Sequence, residues 1–301
     1  MAVTVVENAR EVAQSPPRTV LTGVALFGVV IASTLPVSRG VFAVVPIWLS
    51  VTQFTLGVGL LALTSFADGY RSLQTLSVGV VTVQAQWLLI QFSVADEVFG
   101  LSSAPDTVEI LVAEAVQFAP ALVALAALGV AGYSRSDLLL RLSDRSQTTD
   151  FTWIPGVQTE WSWRRATLVL GVFLVSAFLV IRMIEGVSYE FGAHNSGELA
   201  VIVPAILVAS AMNSFMERTL FAALPLRELT DALGKSRALL ILAVFFGLSH
   251  FTGTPGGPLG VFLTGILGWV LAKLMIETRS IVAAWILHFC LDILIFTAVL
   301  T

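Results

Sequence analysis

Long apolar stretches without a single charge constrain this chain more than any other feature of its sequence. Several windows of 18 or more residues contain no Asp, Glu, Lys or Arg, which is the signature of helices that span a membrane. Only 12% of the 301 residues are charged and 56% are hydrophobic, whereas a soluble domain carries about a quarter charged residues. The sequence therefore predicts an all-α, polytopic integral membrane protein.

Nine hydrophobic segments follow one another along the chain, and we expect eight or nine transmembrane helices from them. The segment at 237–251 is the weakest, because it is short enough to be a partial span. The nine segments cover roughly residues 19–37, 41–66, 74–94, 107–132, 166–184, 199–224, 237–251, 259–276 and 280–299.

The basic residues fall mostly in alternate loops, starting with the N-terminal one. By the positive-inside rule this pattern predicts a cytoplasmic N-terminus, and nine spans would place the C-terminus outside. No basic stripe is present, so we expect membrane lipid around the protein and no nucleic-acid partner. Cys290 is the single cysteine, which excludes an intramolecular disulfide and a metal site built from cysteines.

The chain divides by role near residue 165. Residues 1–165 are predicted to be supporting transmembrane helices that end in a cytoplasmic linker, and residues 166–301 hold nearly all the unexpected polar residues. The linker carries tryptophans just before two arginines, a combination typical of an interfacial anchor: Trp153, Trp161, Trp163, Arg164 and Arg165.

Four polar side chains in the last third of the chain are not explained by a simple membrane span: Glu217, His250, His288 and Asp292. A rise of about 1.5 Å per residue places each about 14–20 Å from the nearest cytoplasmic charges, near the middle of a hydrocarbon core about 30 Å thick. His288 and Asp292 are four residues apart and share a helix face. Such a set can activate water, with the glutamate as base. The alternative is that these side chains only join helices through hydrogen bonds.

Other polar residues in the predicted spans have simpler interpretations. Asn213 lies one turn before Glu217, so we expect it to support that carboxylate through a hydrogen bond. Glu114 and Gln117 lie a few residues inside the outer interface, where solvated side chains are expected. Gln84 is predicted to form a hydrogen bond between helices.

Three short motifs in this region resemble those of the CPBP family, the intramembrane CAAX-processing and bacteriocin-associated proteases that are also called ABI proteins. The family pattern Glu-Glu-x-x-Phe-Arg-Gly is similar to the stretch from Glu217 to Ala223. The pattern Phe-x-x-x-His is similar to 246–250, and His-x-x-x-Asn/Asp is similar to 288–292. The resemblance covers roughly residues 200–300.

The resemblance implies an intramembrane endopeptidase that acts on a peptide bond presented from the membrane, with prenylated C-terminal peptides as one substrate class. It implies that Glu217 and His250 activate the attacking water, and that His288 and Asp292 stabilise the oxyanion or share a metal. If a metal takes part, its ligands would be His250, His288 and Asp292, a set that suits zinc. A metal-independent reaction is the alternative.

The first motif departs from the family pattern at three positions. Arg218 replaces the second glutamate, Ala222 replaces the arginine, and Ala223 replaces the glycine. The lost glutamate and arginine would have formed an ion pair across one helical turn, so Arg218 needs a different partner or must extend towards the interface. Two other functions therefore stay open: a catalytically decayed scaffold or immunity-type protein of the same fold, and a proton-coupled transporter.

Overall fold

The structure is a computed structural model that describes residues 16–42, 45–92, 98–101, 104–152, 157–187, 189 and 194–300. It consists of α-helices with one pair of two-residue strands. We number the elements in chain order: α1 Arg18–Phe42, α2 Ile47–Phe66, a 3₁₀ helix Asp68–Leu73, α3 Gln74–Gln91, α4 Asp106–Val130, β1 Thr148–Thr149, β2 Trp161–Ser162, α5 Trp163–Ile184, α6 Ser196–Arg218, a π-helical turn Thr219–Ala223, α7 Leu224–Leu233, α8 Lys235–Ser249, α9 Gly257–Thr278 and α10 Val282–Leu300.

The all-α polytopic fold predicted from the sequence is confirmed. Eight helices within the described residues are long and apolar enough to cross a membrane. Helix α8 has only 15 residues, which extend about 22 Å and fall short of a hydrocarbon core of about 30 Å. The segment at 237–251 is therefore not a full span, and the structure favours the lower of the two predicted counts. The side of the membrane on which the N-terminus lies stays a prediction.

Helices α6 and α7 form one helical stretch of 38 residues, Ser196–Leu233, interrupted by the π-helical turn Thr219–Ala223. Pro225 is the second residue after this turn, near the start of α7. Proline has no backbone N–H, and its ring clashes with the carbonyl four residues before it. The wider π turn accommodates that local conflict, and such turns are frequent next to functional residues. Here the turn begins one residue after Arg218.

The described residues form two compact units, each built from two separate stretches of the chain. The first unit comprises residues up to 88 together with 220–272, and the second comprises 89–219 together with 273–301. The predicted division at residue 165 was made by role and not by packing, so it stays a prediction.

In the first unit, α1 packs against α2 and α8, and α7 packs against α8 and the 3₁₀ helix. Two polar contacts join its helices. Gln84 Nε2 on α3 donates to the backbone oxygen of Gln53 on α2 at 2.8 Å, which confirms the predicted interhelical bond. The backbone N–H and the hydroxyl of Thr75 both donate to Glu228 Oε2, at 2.9 and 2.7 Å. These bonds fix α3 against α2 and α7.

In the second unit, α6 packs against both α4 and α10, while α10 also packs against α5. Asn195 caps α6: its side chain accepts from the N–H groups of Gly197 and Glu198, and Glu198 in turn accepts from the Asn195 N–H. This capping box satisfies backbone donors that the first turn leaves without helical partners. Helix α6 therefore begins at a defined residue, which fixes the register of the polar residues at its other end.

The linker before α5 is attached to the turn between α9 and α10. Strands β1 and β2 pair antiparallel, with Thr148 opposite Ser162. Lys273 donates to the Asp150 carbonyl and to the Glu277 carboxylate, and Ile281 N–H donates to the Leu139 carbonyl at 2.9 Å. These contacts hold the residues that lead into α10.

The predicted interfacial anchor is only partly described. Arg164 lies over the Trp163 ring at 5.5 Å, and Arg165 lies over the Trp161 ring at 5.0 Å, so the basic and aromatic side chains are paired as cation–π contacts. Trp153 lies outside the described residues.

Candidate active site

The polar cluster of the second unit is built from the last turn of α6 and the middle of α10. Asn213 and Glu217 are four residues apart on α6, and His288 and Asp292 are four residues apart on α10, so each pair shares one face of its helix. The structure packs α6 against α10 and brings these faces together. Three of the four predicted catalytic residues therefore meet in one place, together with Asn213.

His288 lies at the centre of this cluster and is 4% exposed. Its Nε2 atom is 3.5 Å from Glu217 Oε2 and 3.4 Å from Asp292 Oδ1. Its Nδ1 atom accepts a hydrogen bond from Arg218 Nε at 3.1 Å. A nitrogen that accepts carries no proton, so the neutral ring holds its proton on Nε2. His288 consequently presents an N–H group towards two carboxylates.

Asn213 reaches a different carboxylate from the one that the sequence suggested. Its Nδ2 donates to Asp292 Oδ2 at 3.1 Å, so its hydrogen bond joins α6 to α10 instead of remaining within α6. The expected bond to Glu217 came from helical spacing, which identifies neighbours on one helix only. Asp292 is 1% exposed, and Asn213 supplies a donor that a buried carboxylate requires.

Glu114 on α4 is part of the same electrostatic environment, although the sequence suggested a solvated side chain. Its carboxylate interacts with that of Glu217, and Asp292 interacts with both. The solvated interpretation was wrong, since Glu114 Oε2 is buried. The only sequence signal for this role was an acidic residue inside an apolar span, which is a functional hint by itself. Packing of α4 against α6 is what brings it to the cluster.

Aromatic side chains join the same three helices. Phe215 on α6 makes edge-to-face contacts with Phe118 on α4 and with Trp285 on α10, each with ring centroids 6.1 Å apart. Trp285 also donates through Nε1 to the Ala211 carbonyl at 3.3 Å. Such aromatic pairs stabilise contacts beyond the area they bury, and here they fix the rotation of α10 that points His288 towards α6.

His250 belongs to the first unit, where it ends α8. Its ring lies against Phe246, with centroids 4.2 Å apart, and Phe221 contacts both Phe246 and His250 at 5.6 and 6.2 Å. The phenylalanines of the first and second motifs therefore pack together with the motif histidine. Both phenylalanines are buried: Phe246 is 1% and Phe221 7% exposed.

The tautomer of His250 follows from its backbone contact. His250 Nδ1 lies 2.7 Å from the Phe246 carbonyl oxygen, and a carbonyl can only accept, so Nδ1 carries the proton. The lone pair of the neutral ring is then on Nε2, which is the form that can act as a base or a ligand. The role of His250 in a reaction stays a prediction that rests on the resemblance.

Zinc does not fit the second unit as its residues are placed. Both nitrogens of His288 are committed, because Nδ1 accepts from Arg218 and Nε2 carries a proton, whereas a ligand must offer a lone pair. Within the described part of the chain, no three His, Cys, Asp or Glu side chains form a group that could hold a metal ion. Arg218 itself brings a positive charge to this cluster.

Arg218 is the residue whose surroundings the sequence left undecided. It is 1% exposed, donates to His288 and interacts electrostatically with Glu217 and Asp292. It therefore does not extend to the membrane interface. Its partners lie within the cluster, so the loss of the family's glutamate–arginine pair is accompanied by a new set of contacts.

Residues 199–294 match the family model described as type II CAAX prenyl endopeptidase Rce1-like. The match runs from the first turns of α6 into α10 and includes all three motifs, which confirms the resemblance over these residues. Neither a search of curated proteins nor a search of solved structures gave a match.

Proposed function

We propose that this chain, whose residues 199–294 are similar to the Rce1-like CAAX prenyl endopeptidases, is an intramembrane endopeptidase that hydrolyses a peptide bond with a water activated by Glu217. The observation that carries the proposal is the placement of the Glu217 carboxylate beside the Nε2–H of His288, at 3.5 Å. At this separation the base can activate a water molecule while the N–H donor stabilises the oxyanion that forms in the same reaction.

The reaction can be written with these groups alone. Glu217 takes a proton from water, and the water oxygen forms a bond to the carbonyl carbon of the peptide. His288 Nε2–H donates to the oxyanion that develops on the carbonyl oxygen. As the C–N bond breaks, Glu217 returns the proton to the leaving amine. The distances from Nε2 to the two carboxylates, 3.5 and 3.4 Å, exceed those of short hydrogen bonds, so neither carboxylate holds the N–H in a strong hydrogen bond.

The exposure of the three side chains differs in a way that fits the proposed roles. Asp292 is 1% and His288 4% exposed, and the Glu217 side chain is 14% exposed. Glu217 is therefore the most accessible of the three, as a residue that must meet water and substrate requires. Asp292 accepts from Asn213 and lies 3.4 Å from Nε2 of the imidazole, so its role is to orient His288.

A metal-independent reaction is part of this proposal, because His288 has no lone pair to offer a metal. His250 is retained as a second candidate base on the resemblance, with the lone pair of its neutral ring on Nε2. The expected substrates are peptides presented from the membrane, and peptides that end in a prenylated cysteine are the class favoured by the family match.

A non-catalytic scaffold of the same fold is the second candidate, and one observation favours it. The buried Arg218 replaces an acidic residue of the family pattern and donates directly to His288. If the cluster only holds helices together, Glu217 can be replaced by its amide without loss of biological effect.

The decisive experiment measures cleavage of a quenched fluorescent peptide with a farnesylated C-terminal cysteine by the full chain in liposomes. We expect Glu217→Gln to lower the turnover by about 10²–10⁴-fold, which is the usual contribution of a general base. Glu109→Gln is the matched control, because Glu109 is an exposed residue in the first turn of α4. Equal turnover of the Glu217→Gln protein and the parent would overturn the proposal, and so would the absence of cleavage of both farnesylated and unmodified peptides.

A further inference from the structure

We propose that Arg218 is a positioning residue in this cluster: its buried guanidinium holds His288 in the Nε2–H form and supplies positive charge among the carboxylates. The catalytic meaning of this inference rests on the proposed peptidase function. Its structural content, the tautomer and the charge, does not depend on any turnover.

The position of Arg218 in the chain explains why its side chain cannot leave the cluster. It is the last residue of α6, the π-helical turn follows directly, and its side chain is 1% exposed. Arginine stays protonated in proteins, so a buried guanidinium must be compensated by nearby negative charge. Glu217 and Asp292 provide that compensation through their electrostatic interaction with it.

One donor of Arg218 goes to an imidazole nitrogen, in addition to the electrostatic interaction of its charge with Glu217 and Asp292. Here Nε donates to His288 Nδ1 at 3.1 Å, an acceptor that exists in only one of the two neutral tautomers. Arg218 therefore selects the tautomer that points an N–H towards Glu217 and Asp292.

The same arrangement performs two tasks that a zinc ion performs elsewhere. A metal bound to one imidazole nitrogen fixes the ring orientation and forces the proton onto the other nitrogen. A metal also offsets the repulsion between neighbouring carboxylates, which in this cluster come from Glu114, Glu217 and Asp292. Arg218 meets both requirements, and it differs from a metal in that it cannot hold a water molecule as a ligand.

The test reads the tautomer directly by NMR of the full chain labelled with ¹⁵N-histidine, in nanodiscs without substrate. The chain contains only three histidines, and the His288 signal is assigned by its loss in His288→Gln. We expect a protonated Nε2 and an unprotonated Nδ1 in the parent protein. A proton on Nδ1 of His288 would overturn the inference, and this measurement requires no variant of Arg218 to fold.

Variants of Arg218 then test the cause of the tautomer. We expect Arg218→Met to change the Nδ1 signal and to give a fraction of the protein with a proton on Nδ1, because no donor then occupies that nitrogen, although Glu217 and Asp292 remain beside Nε2. Arg218→Lys should restore the parent signal in part, because lysine keeps a donor and a charge but not the planar fork. Arg182→Met is the matched control: it removes the same charge from the last turn of α5, where Arg182 pairs with Glu185. An unchanged His288 signal in Arg218→Met, with native helix content by circular dichroism, would overturn the inference.

Metal binding and turnover separate this inference from the proposed function. We expect no stoichiometric uptake of Zn²⁺ by the parent protein in equilibrium dialysis, and stoichiometric uptake that displaces the Arg218–His288 contact would overturn the inference.

If the peptidase is active, Arg218→Met should lower kcat about 10–100-fold, as losses of such supporting partners do. An inactive parent that keeps the Nε2–H signature would refute the peptidase and leave the role of Arg218 intact. An active parent with a proton on Nδ1 of His288 would refute the role of Arg218 and leave the peptidase proposal intact.

Discussion

Replacing Asn213 by alanine removes the amide that joins α6 to Asp292 of α10 at 3.1 Å. Asp292 is 1% exposed, so water cannot fully replace the lost donor. Interhelical hydrogen bonds in membrane proteins contribute about 0.6 kcal/mol on average and about 1.7 kcal/mol at most. Because the acceptor is a buried carboxylate oxygen, we expect the coupling energy between Asn213 and Asp292 to lie in the upper part of that range, about 1–1.7 kcal/mol.

The assay is a double-mutant cycle on the free energy of unfolding. Asn213→Ala, Asp292→Ala and the double variant are unfolded reversibly in mixed micelles, with tryptophan fluorescence as the signal. The cycle isolates the pair because effects common to either substitution cancel. The turnover of Asn213→Ala on the farnesylated peptide is measured in parallel, and we expect it to fall because Asp292 no longer holds the imidazole in place.

Ser214→Ala provides the matched control for this cycle. Ser214 is adjacent to Asn213 and fully buried, but its hydroxyl donates to the Ser210 carbonyl within α6. Its cycle with Asp292→Ala should therefore be additive within about 0.5 kcal/mol. If the Asn213 cycle is also additive to that level, the hydrogen bond from Asn213 to Asp292 does not stabilise the folded protein, and the prediction is wrong.

Two further predictions concern the first unit, and both compare neighbouring positions by the midpoint of thermal unfolding. A methyl group at Gly57 would overlap the Gln84 side-chain oxygen, whereas one at Gly59 would have no neighbour within 4 Å. Gly57→Ala should therefore lower the free energy of unfolding by about 1–3 kcal/mol, whereas Gly59→Ala should leave it unchanged or raise it. Equal shifts of the unfolding midpoint in the two variants would contradict this packing. Thr75→Val removes the hydroxyl that donates to the Glu228 carboxylate on α7 at 2.7 Å. It should lower the free energy of unfolding by about 1.5–3 kcal/mol. The hydroxyl of Thr82 donates only to its own helix, so the Thr82→Val protein should unfold close to the parent, and a Thr75→Val protein that does the same would disprove the interhelical bond.

The charge-free apolar runs were sufficient to predict the fold class. A membrane core satisfies no backbone hydrogen bonds, so an uncharged run of about 20 residues has to form a helix. The segment at 237–251 was the least certain, because its short length already made it the weakest candidate in the sequence. The structure gives it a helix of 15 residues, which is too short for a full span.

The candidate site was predictable where its residues follow one helix. His288 and Asp292 share a face because they are four residues apart. The resemblance of the first motif identified Glu217, which lies on the predicted span at 199–224. The partner of Asn213 was not predictable in this way. Spacing pointed to Glu217, one turn away, but the amide donates across to Asp292.

The sequence by itself determined which stretches are membrane helices and which polar residues share a face, because both properties depend only on neighbours along the chain. The tertiary structure alone decided that Arg218 donates to His288 and that Glu114 joins the acidic residues. These contacts depend on the rotation and crossing of packed helices, which are set by side-chain fit between distant segments. The chemistry of the cluster therefore rests on helix packing: the same residues on differently rotated helices would present neither an N–H nor a fixed positive charge to Glu217.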